Sequence, residues 1–288
     1  MRVNTMLKGC FGWAACFFLS YSLQGQTHEF GIGPGLTYYV GDVNPTVHWQ
    51  SPHPGGHAFY RRNFDWHWSL RAGLLYGRIS AADSVGVYDF QTKRNLHFES
   101  DIYELNLIGE FNFFPFKPGK NSGRDWTPFL SLGLAGFMFS PQANYNGELI
   151  PLSALETEGQ TTPTFPDREE YATWSIAIPF GLGFKFMLND RWTLMTEYQM
   201  RMTFTDYLDD VSTTYGDLGE ITLIAGQIAA ELSDQSISDY NGPMPNTFYQ
   251  RGTPNDLDWY GFFHVSLVYK FNDPNICYSG VGWRKARR

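Results

Sequence analysis

The feature that most constrains this chain is a strict alternation of apolar and polar side chains over unusually long stretches. From Tyr103 to Phe113 every second residue is apolar or glycine, and the positions between them include Glu104, Asn106 and Glu110. Two later segments repeat the pattern: Trp174 to Phe186 and Trp259 to Phe271. A period of two predicts β-strands. A tilted strand that crosses a membrane needs about ten residues, whereas strands of soluble proteins average about five or six.

Eight such strands are predicted, an even number typical of bacterial membrane barrels. They are Phe30 to Val40, Gly56 to Phe64, His67 to Ile79, Phe98 to Phe114, Trp126 to Phe139, Thr173 to Met187, Arg191 to Thr205 and Leu257 to Phe271. Their connections alternate between short and long, which predicts periplasmic turns and external loops, with both termini in the periplasm. The expected fold is therefore all-β, a transmembrane antiparallel β-barrel with its apolar faces toward lipid.

A soluble β-sandwich also alternates, so strand length and composition must decide between the two folds. The chain is 17% aromatic, and aromatic residues mark the predicted strand ends at Trp68, Tyr76, Trp192 and Trp259. Membrane barrels carry such aromatic girdles at both interfaces. The polar positions are also too charged for a dry sandwich core. A formal net charge of −8 argues against a nucleic-acid partner.

The inward positions predict a plugged lumen, because eight strands enclose only enough space for side chains. Charges in such a space must pair, since an unpaired buried charge costs several kcal/mol. The predicted lumen network contains three acids and three bases: Arg71, Glu104, Glu110, Glu197, Arg201 and Lys270. A passive diffusion channel is disfavoured, since channels require wider barrels.

The N-terminus reads as a secretory signal peptide with a basic start, a short apolar stretch and small residues near Gly25. A lipoprotein signal at Cys16 is the weaker alternative. We expect a signal peptide at residues 1–25, the barrel at 26–272 and a basic tail at 273–288. Cleavage after residue 25 leaves Cys277 as the only cysteine, so no internal disulfide is expected.

The tail carries Cys277 and four basic residues, Arg284, Lys285, Arg287 and Arg288, against one acid, Asp273. We interpret it as a docking segment for a periplasmic partner, with Cys277 available for an intermolecular disulfide. Electrostatic attachment to lipid headgroups and an inert tail are the alternatives.

Candidate chemical sites are few, and no catalytic, cofactor-binding or metal-binding residue is predicted. His264 and Ser266 resemble the His-x-Ser pair of outer-membrane lipid A deacylases, but their parity points them inward beside Lys270, which favours a structural hydrogen-bonded pair. Three histidines near the first loop have no fixed geometry for a metal: His48, His53 and His57. The acidic segment 205–256 is interpreted as a solvated external loop, with collection of divalent cations or surface adhesion as alternatives. Within it, Ile221 to Leu232 is predicted to form a short helix.

Several longer motifs resemble the PorG family of Bacteroidetes outer-membrane proteins. They are YYVGDVNP (38–45), RNLHF (94–98), SDIYELN (100–106), EFNFF (110–114), TEGQ (157–160), IPFGLG (178–183) and FTDYLDDVS (204–212). Seven motif residues stand out as strand-end and loop positions able to cap backbone groups: Gly41, Asp42, Asn44, Pro45, Asp206, Asp209 and Asp210.

The resemblance implies a non-enzymatic component of the type IX secretion and gliding machinery. The resemblance implies that the barrel acts as an outer-membrane anchor for a periplasmic ring. That ring is made of a lipoprotein and its soluble partner. The partners expected on this ground are outer-membrane lipid and the two ring proteins, and no cofactor is implied. A lipid-modifying enzyme, suggested by His264 and Ser266, and a surface adhesin with an acidic loop are the alternative functions.

Overall fold

The computed structural model describes residues 27–47, 49–116, 124–237 and 245–271. The predicted signal peptide lies outside these residues. So does the predicted docking tail with Cys277, Arg284, Lys285, Arg287 and Arg288.

Eight long antiparallel strands close into a ring, which confirms the predicted barrel. The described strands, which are the eight of the ring and the short β6, are β1 (Thr27–Val40), β2 (His53–Asn63), β3 (Trp68–Ala82), β4 (His97–Asn112), β5 (Trp126–Tyr145), β6 (Glu148–Pro151), β7 (Trp174–Met187), β8 (Trp192–Thr203) and β9 (Trp259–Lys270). Each ring strand pairs with the next ring strand along the chain, including β4 with β5 and β5 with β7. The pairing of β1 with β9 closes the circle. Only the short β6 stays outside the ring, paired with β5 alone.

The β5–β6 hairpin is the element that the alternation pattern missed. Asn146 and Gly147 form its two-residue turn with φ of 53° and 93°. Positive φ at both turn residues is what a tight hairpin between twisted strands requires, and Asn-Gly is the sequence pair that tolerates it best. The predicted strand ended at Phe139, whereas β5 continues to Tyr145. The second strand also begins earlier than predicted, at His53 instead of Gly56.

The remaining described elements lie in the long loops. A 3-10 turn covers Asp83–Val85, followed by the helices α1 (Asp89–Arg94), α2 (Leu218–Ala225) and α3 (Gln227–Ser233). The single helix predicted over 221–232 is two helices, because Gly226 between them has φ of 93° and ends α2. None of the helices in the described part of the chain is long and apolar enough to cross a membrane.

The outer wall of the barrel exposes the apolar side chains of the alternating pattern. Leu74, Leu105 and Leu134 are each more than 60% exposed. Exposed aromatic residues lie toward both ends of the wall: Trp68, Trp126 and Trp192 at the end with short turns, and Tyr76, Tyr103 and Trp174 at the end with long loops. Ten residue steps from Trp68 to Arg78, at about 3.4 Å each and a tilt of about 40°, span roughly 25 Å, the height of the apolar band of such barrels.

The interior of the barrel is filled in two layers. A small apolar cluster of Phe59, Phe129, Met195 and Val268 occupies the lumen among charged side chains. A larger apolar cluster joins the upper strands to the loops and includes Tyr39, Ile102, Phe137, Leu208 and Tyr260. The described loops therefore close one end of the barrel as a packed cap.

Candidate functional sites in the lumen and the loop cap

Glu110 is the centre of the ion-pair network in the lumen. It accepts from Lys185 Nζ at 2.6 Å, and it pairs with Arg71 at 3.2 Å and Arg61 at 3.4 Å. Arg61 also reaches Glu29 at 3.3 Å. All five side chains are buried, so this layer holds three cations against two carboxylates in the absence of water contact.

Glu197 and Glu104 extend this network toward the loops. Arg71 lies 2.8 Å from Glu197. Arg201 donates to Glu104 at 2.9 Å, and the Tyr260 hydroxyl donates to the same carboxylate at 2.7 Å. The two carboxylates balance Arg201 and the one excess positive charge of the first layer, and these contacts link four strands.

The structure brings together most of the lumen residues that parity alone selects: Arg71, Glu104, Glu110, Glu197 and Arg201. Lys270 keeps the inward parity of β9 and lies half-buried at the end of that strand, opposite Glu29 in the strand register. Sequence reasoning missed Glu29 and Arg61. Glu29 precedes the predicted first strand, and Arg61 lies in β2, which begins three residues before its predicted start. Lys185, at an inward position of β7, was not predicted as a member of the network either.

A chain of hydrogen bonds connects His57, Ser266, His264 and Glu197. Ser266 Oγ lies 3.0 Å from His264 Nδ1, and His264 Nε2 lies 3.0 Å from Glu197 Oε2. This is the serine, histidine and acid order of a hydrolase triad. However, His57 Nε2 also contacts Ser266 Oγ at 2.5 Å, and the serine is 1% exposed. A Cβ added to Gly33 would overlap the Ser266 side chain, so the hydroxyl packs directly against β1.

His264 and Ser266 form the structural hydrogen-bonded pair that their parity favours. Each also has a further partner, Glu197 for His264 and His57 for Ser266. His57 belongs to β2 and points into the lumen, whereas His53 contacts Ser80 Oγ at 2.6 Å. These two histidines are thus held by different partners, and His48 lies outside the described residues.

Three of the recognised motifs, far apart in sequence, meet in the loop cap. Asp42 accepts from the Thr253 amide at 2.8 Å, and Asn44 donates to the carbonyl of Tyr39 at 2.8 Å. Asp209 accepts from the Val211 amide at 2.9 Å. Gly41 pairs with Asn44 through both backbone hydrogen bonds, at 3.1 and 3.0 Å, with Pro45 following the turn. The side chains of Asp42, Asn44 and Asp209 thus bind backbone groups, as the capping interpretation expects. Asp210 instead binds other side chains, among them Tyr171 and Arg251, and Asp206 has no hydrogen bond of normal geometry.

Glu158 of the TEGQ motif organises the centre of the cap. It accepts from the amides of Ser212 and Thr213 at 2.9 and 3.0 Å, and from Arg251 at 3.2 Å. Arg251 also pairs with Asp210 at 3.4 Å. Burial raises the pKa of Asp210 to about 6, although Arg251 acts to lower it. One glutamate thereby connects the loop after β6 with the loop between β8 and β9.

Arg94 connects the remaining two loops to the same cap. Its guanidinium donates to Asp83 at 2.7 and 2.8 Å, and also to the carbonyls of Arg251 and Asp42 at 2.7 and 2.9 Å. A guanidinium with fixed fork geometry is well suited to bind several oxygens at once. All four long loops therefore share one polar core.

The interpretation of segment 205–256 as a solvated loop is wrong for its acidic motif. Asp206, Asp209 and Asp210 are each less than 8% exposed. Their cover comes from Glu158 and Arg251 and from the apolar side chains of the cap, which belong to other parts of the chain. No local signal in the FTDYLDDVS motif distinguishes a buried acid from a solvated one.

The first loop also folds over the outer wall of the barrel. Trp49 packs against Tyr38 with the rings tilted by 36° and their centroids 4.6 Å apart, and its ring centroid lies 5.8 Å from that of Tyr198. The hydroxyls of Tyr38 and Tyr198 are hydrogen-bonded to each other. Gly261 makes room for this contact, because a Cβ there would overlap the Tyr38 ring. An aromatic cluster thus covers the junction of β1, β9 and β8.

Comparison with known proteins finds a matching family and several similar solved structures. The sequence profile of a family described as a domain of unknown function (DUF6089) matches residues 8–231. No curated protein matches the chain.

Three of the solved structures that are similar to the chain are bacterial outer-membrane proteins. Ail, the attachment invasion locus protein of Yersinia pestis, has 10% sequence identity and a TM-score of 0.40, over 86% of this chain and 100% of Ail. Neisserial surface protein A has 9% identity and a TM-score of 0.42, over 86% and 100% of the two chains. OprG from Pseudomonas aeruginosa has 9% identity and a TM-score of 0.40, over 86% and 98%.

Proposed function

Since the chain belongs to the DUF6089 family, whose function is unknown, we propose a function from its closed geometry together with its resemblance to PorG proteins. The protein is a non-enzymatic outer-membrane component of the type IX secretion and gliding machinery. Its barrel lies in the outer membrane with its termini in the periplasm, and it anchors a periplasmic ring that contains a lipoprotein and a soluble partner.

The observation that carries this proposal is the closure of the barrel at two levels. Ion pairs and the side chains of Phe59, Phe129 and Met195 fill the lumen, and the loop cap closes one end. Such a barrel offers no solute path, and its serine and histidine chain offers no space for a substrate. What the molecule presents to its surroundings is surface: a wall for lipid, an outer cap, and a periplasmic end with turns and a basic tail.

The resemblance supports assigning the periplasmic end to the ring. Residues 273–288 supply four basic side chains and Cys277 next to the last strand. A basic segment complements an acidic partner surface, and electrostatic complementarity speeds association and fixes orientation. Cys277 would add an intermolecular disulfide in the oxidising periplasm.

The proposal is tested in a strain whose copy of this chain is deleted and replaced by variants. We would purify the barrel from detergent-solubilised outer membranes and identify co-purifying proteins by mass spectrometry, with cargo secretion measured in parallel. The variants are a deletion of residues 273–288, Cys277→Ser, and Glu148→Gln as a control on exposed β6.

Wild type and Glu148→Gln are expected to retain a periplasmic lipoprotein and its soluble partner and to secrete cargo. The tail deletion is expected to lose both partners while the barrel still inserts, and Cys277→Ser is expected to lose a reducible higher band on a non-reducing gel. Normal secretion in the deleted strain would refute the proposal. Retention of the partners by the tail deletion would move the contact to the periplasmic turns.

A further inference from the structure

Two carboxyl groups in the cap share one tyrosine hydroxyl. Tyr39 Oη lies 2.5 Å from Asp209 Oδ2 and 2.6 Å from Asp258 Oδ1. A phenol has a single hydrogen, so it donates to one of these oxygens only. The second short oxygen–oxygen contact needs a hydrogen on the other carboxyl group, which then donates to the phenol oxygen. Both short contacts are hydrogen bonds only if one of the two aspartates is protonated.

The other oxygens of both carboxyl groups are already held. Val211 donates its amide to Asp209 Oδ1 at 2.9 Å, and Leu208 donates its amide to Asp258 Oδ2 at 2.9 Å. Both aspartates are at most 2% exposed, so water does not solvate a second negative charge. These backbone contacts fix the two carboxyl groups on opposite sides of the phenol.

Asp206 adds a third buried carboxyl group. It is 7% exposed, and neither of its oxygens has a hydrogen bond of normal geometry, although the Ser212 side chain acts on it. An ionised carboxylate in that position would carry the full cost of its lost hydration. A protonated carboxyl group avoids most of that cost.

The cations of the cap are engaged with other acids. Within the described residues of the cap, Arg94 forms its ion pair with Asp83, at 2.7 Å, and Arg251 pairs with Glu158 and Asp210, at 3.2 and 3.4 Å. No three acidic, histidine or cysteine side chains of the described residues stand in an arrangement that holds a metal ion. Protonation is therefore the means by which the cluster of Asp206, Asp209 and Asp258 loses negative charge without rearrangement of the cap.

We propose that this cluster, with Tyr39 as its bridge, is a proton-dependent latch that keeps the loop cap closed at neutral pH and releases it as the pH rises. The latch joins the end of β1 to the segments that follow β8 and precede β9. Loss of its protons places two or three negative charges side by side in a buried space. Their repulsion and their demand for water favour a cap with separated loops.

The titration behaviour of the cluster has the sign that a latch requires. Burial raises the pKa of Asp206 to about 8, and the negative charges of Asp42, Glu158 and Asp256 act in the same direction, while Ser212 acts to lower it. Burial also raises the pKa of Asp209 and of Asp258 well above the usual range. A carboxyl group whose pKa is higher in the closed cap than in the open one contributes full stability only below its open-state pKa. That contribution is lost as the pH rises toward the closed-state pKa.

Charged and titratable groups from every packed segment act on the cluster or on the acids beside it. Those that act on the cluster are Tyr39 from β1, Asp42 from the first loop, Glu158 from the third and Asp256 from the fourth. Asp83 and Asp210 are among the neighbouring acids, and those that act on them are Arg94 from the second loop and Arg251 from the fourth. Arg94 acts to lower the pKa of Asp42. The arginines therefore lower the pKa of acids beside the cluster, but they do not replace the protons that the cluster itself needs.

The experiment is hydrogen–deuterium exchange on the mature barrel in detergent micelles at pH 6 and pH 9, with protection factors corrected for the intrinsic pH dependence of exchange. The readout is peptides that cover 205–213 and 251–258, compared with peptides from β3 and β4. We expect the protection factors of the wild-type cap peptides to fall on the order of tenfold or more between pH 6 and pH 9. A single carboxyl group with a strongly raised pKa is enough to produce a fall of this size. The strand peptides are expected to remain unchanged.

Asp206→Asn keeps the size of the side chain and removes its charge, so its cap protection is expected to change far less between the two pH values. Asp167→Asn is the matched control, because Asp167 is an exposed acid in another external loop and is expected to behave as the wild type does. Infrared spectra of the wild type supply a test that needs no variant. The carbonyl stretch of a protonated carboxyl group is expected at pH 7 and is expected to fade by pH 9.

Equal wild-type protection at both pH values would overturn the latch, as would a fall of the same size in Asp206→Asn. Absence of the protonated-carboxyl band at pH 7 would also overturn it. If that absence is accompanied by stronger cap protection on addition of calcium chloride, the cluster is a divalent-cation site instead.

Discussion

Glu110 illustrates how a single residue stabilises the closed lumen. Three cationic groups surround its carboxylate, with Lys185 nearest at 2.6 Å. In Glu110→Gln the cations lose their common partner in a buried space, and removal of one member of a buried pair costs about 3–5 kcal/mol. We expect the free energy of unfolding, measured by denaturant titration in micelles, to fall by about that amount. Glu148→Gln, on the exposed β6, is expected to change it by less than about 0.5 kcal/mol. A loss of similar size in both variants would contradict this role.

Ser266 provides a second prediction at the residue scale. Its hydroxyl is 1% exposed and contacts both His57 and His264. A serine without space for a substrate has no route to nucleophilic attack, whatever the order of its partners. We expect no labelling of the folded barrel by a fluorophosphonate probe, measured by mass spectrometry. Labelling that disappears in Ser266→Ala would restore the enzyme alternative.

The sequence predicts which residues point into the lumen, because a period of two determines the side of the strand on which each side chain lies. Glu104, Glu197 and Arg201 are inward because of their parity, which any strand of that register imposes. Their partners depend on the register between strands that are distant in sequence, and parity alone does not give that register. Asp206 could not be recognised as buried, since its cover comes from other loops.

At the scale of elements, the turn from β1 into the first loop depends on the absence of a side chain at Gly41. A Cβ at this position would overlap Asp258 Oδ1 and Tyr39 Oη. Gly41→Ala is therefore expected to displace Asp258 and to weaken the cap by about 1–3 kcal/mol, as overpacking of buried sites does. We expect faster cleavage of the external loops in limited proteolysis. Gly136→Ala is the control, because a Cβ there meets nothing within 4 Å. Equal cleavage of the two variants would contradict the prediction.

The elements of the wall were better predicted than those of the cap. All eight ring strands follow from alternation, because lipid on one side and packed side chains on the other impose the same period throughout. The β5–β6 hairpin continues beyond that two-sided environment, and only the Asn146-Gly147 pair marks its turn. The α2–α3 break depends on the φ of Gly226, and composition alone does not distinguish a break from a continuous helix.

For the whole molecule, the filled interior predicts the absence of ion conductance. Phe59, Phe129 and Met195 occupy the lumen among paired charges, and the cap covers the loop end. We expect the purified barrel in planar lipid bilayers to show no stable conductance steps, in contrast to a wide porin inserted under the same conditions. Reproducible steps that scale with the amount of inserted barrel would contradict a sealed interior.

The contact of Tyr39 with Asp258 has a consequence for how the barrel is made. Tyr39 ends β1, and Asp258 immediately precedes β9, and these two strands form the seam where the first and last strands of the chain meet. The cap core therefore becomes complete only after the seam has formed, because a chain with an open seam lacks one side of the bridge. Resistance of the cap to protease would then report that the seam has closed.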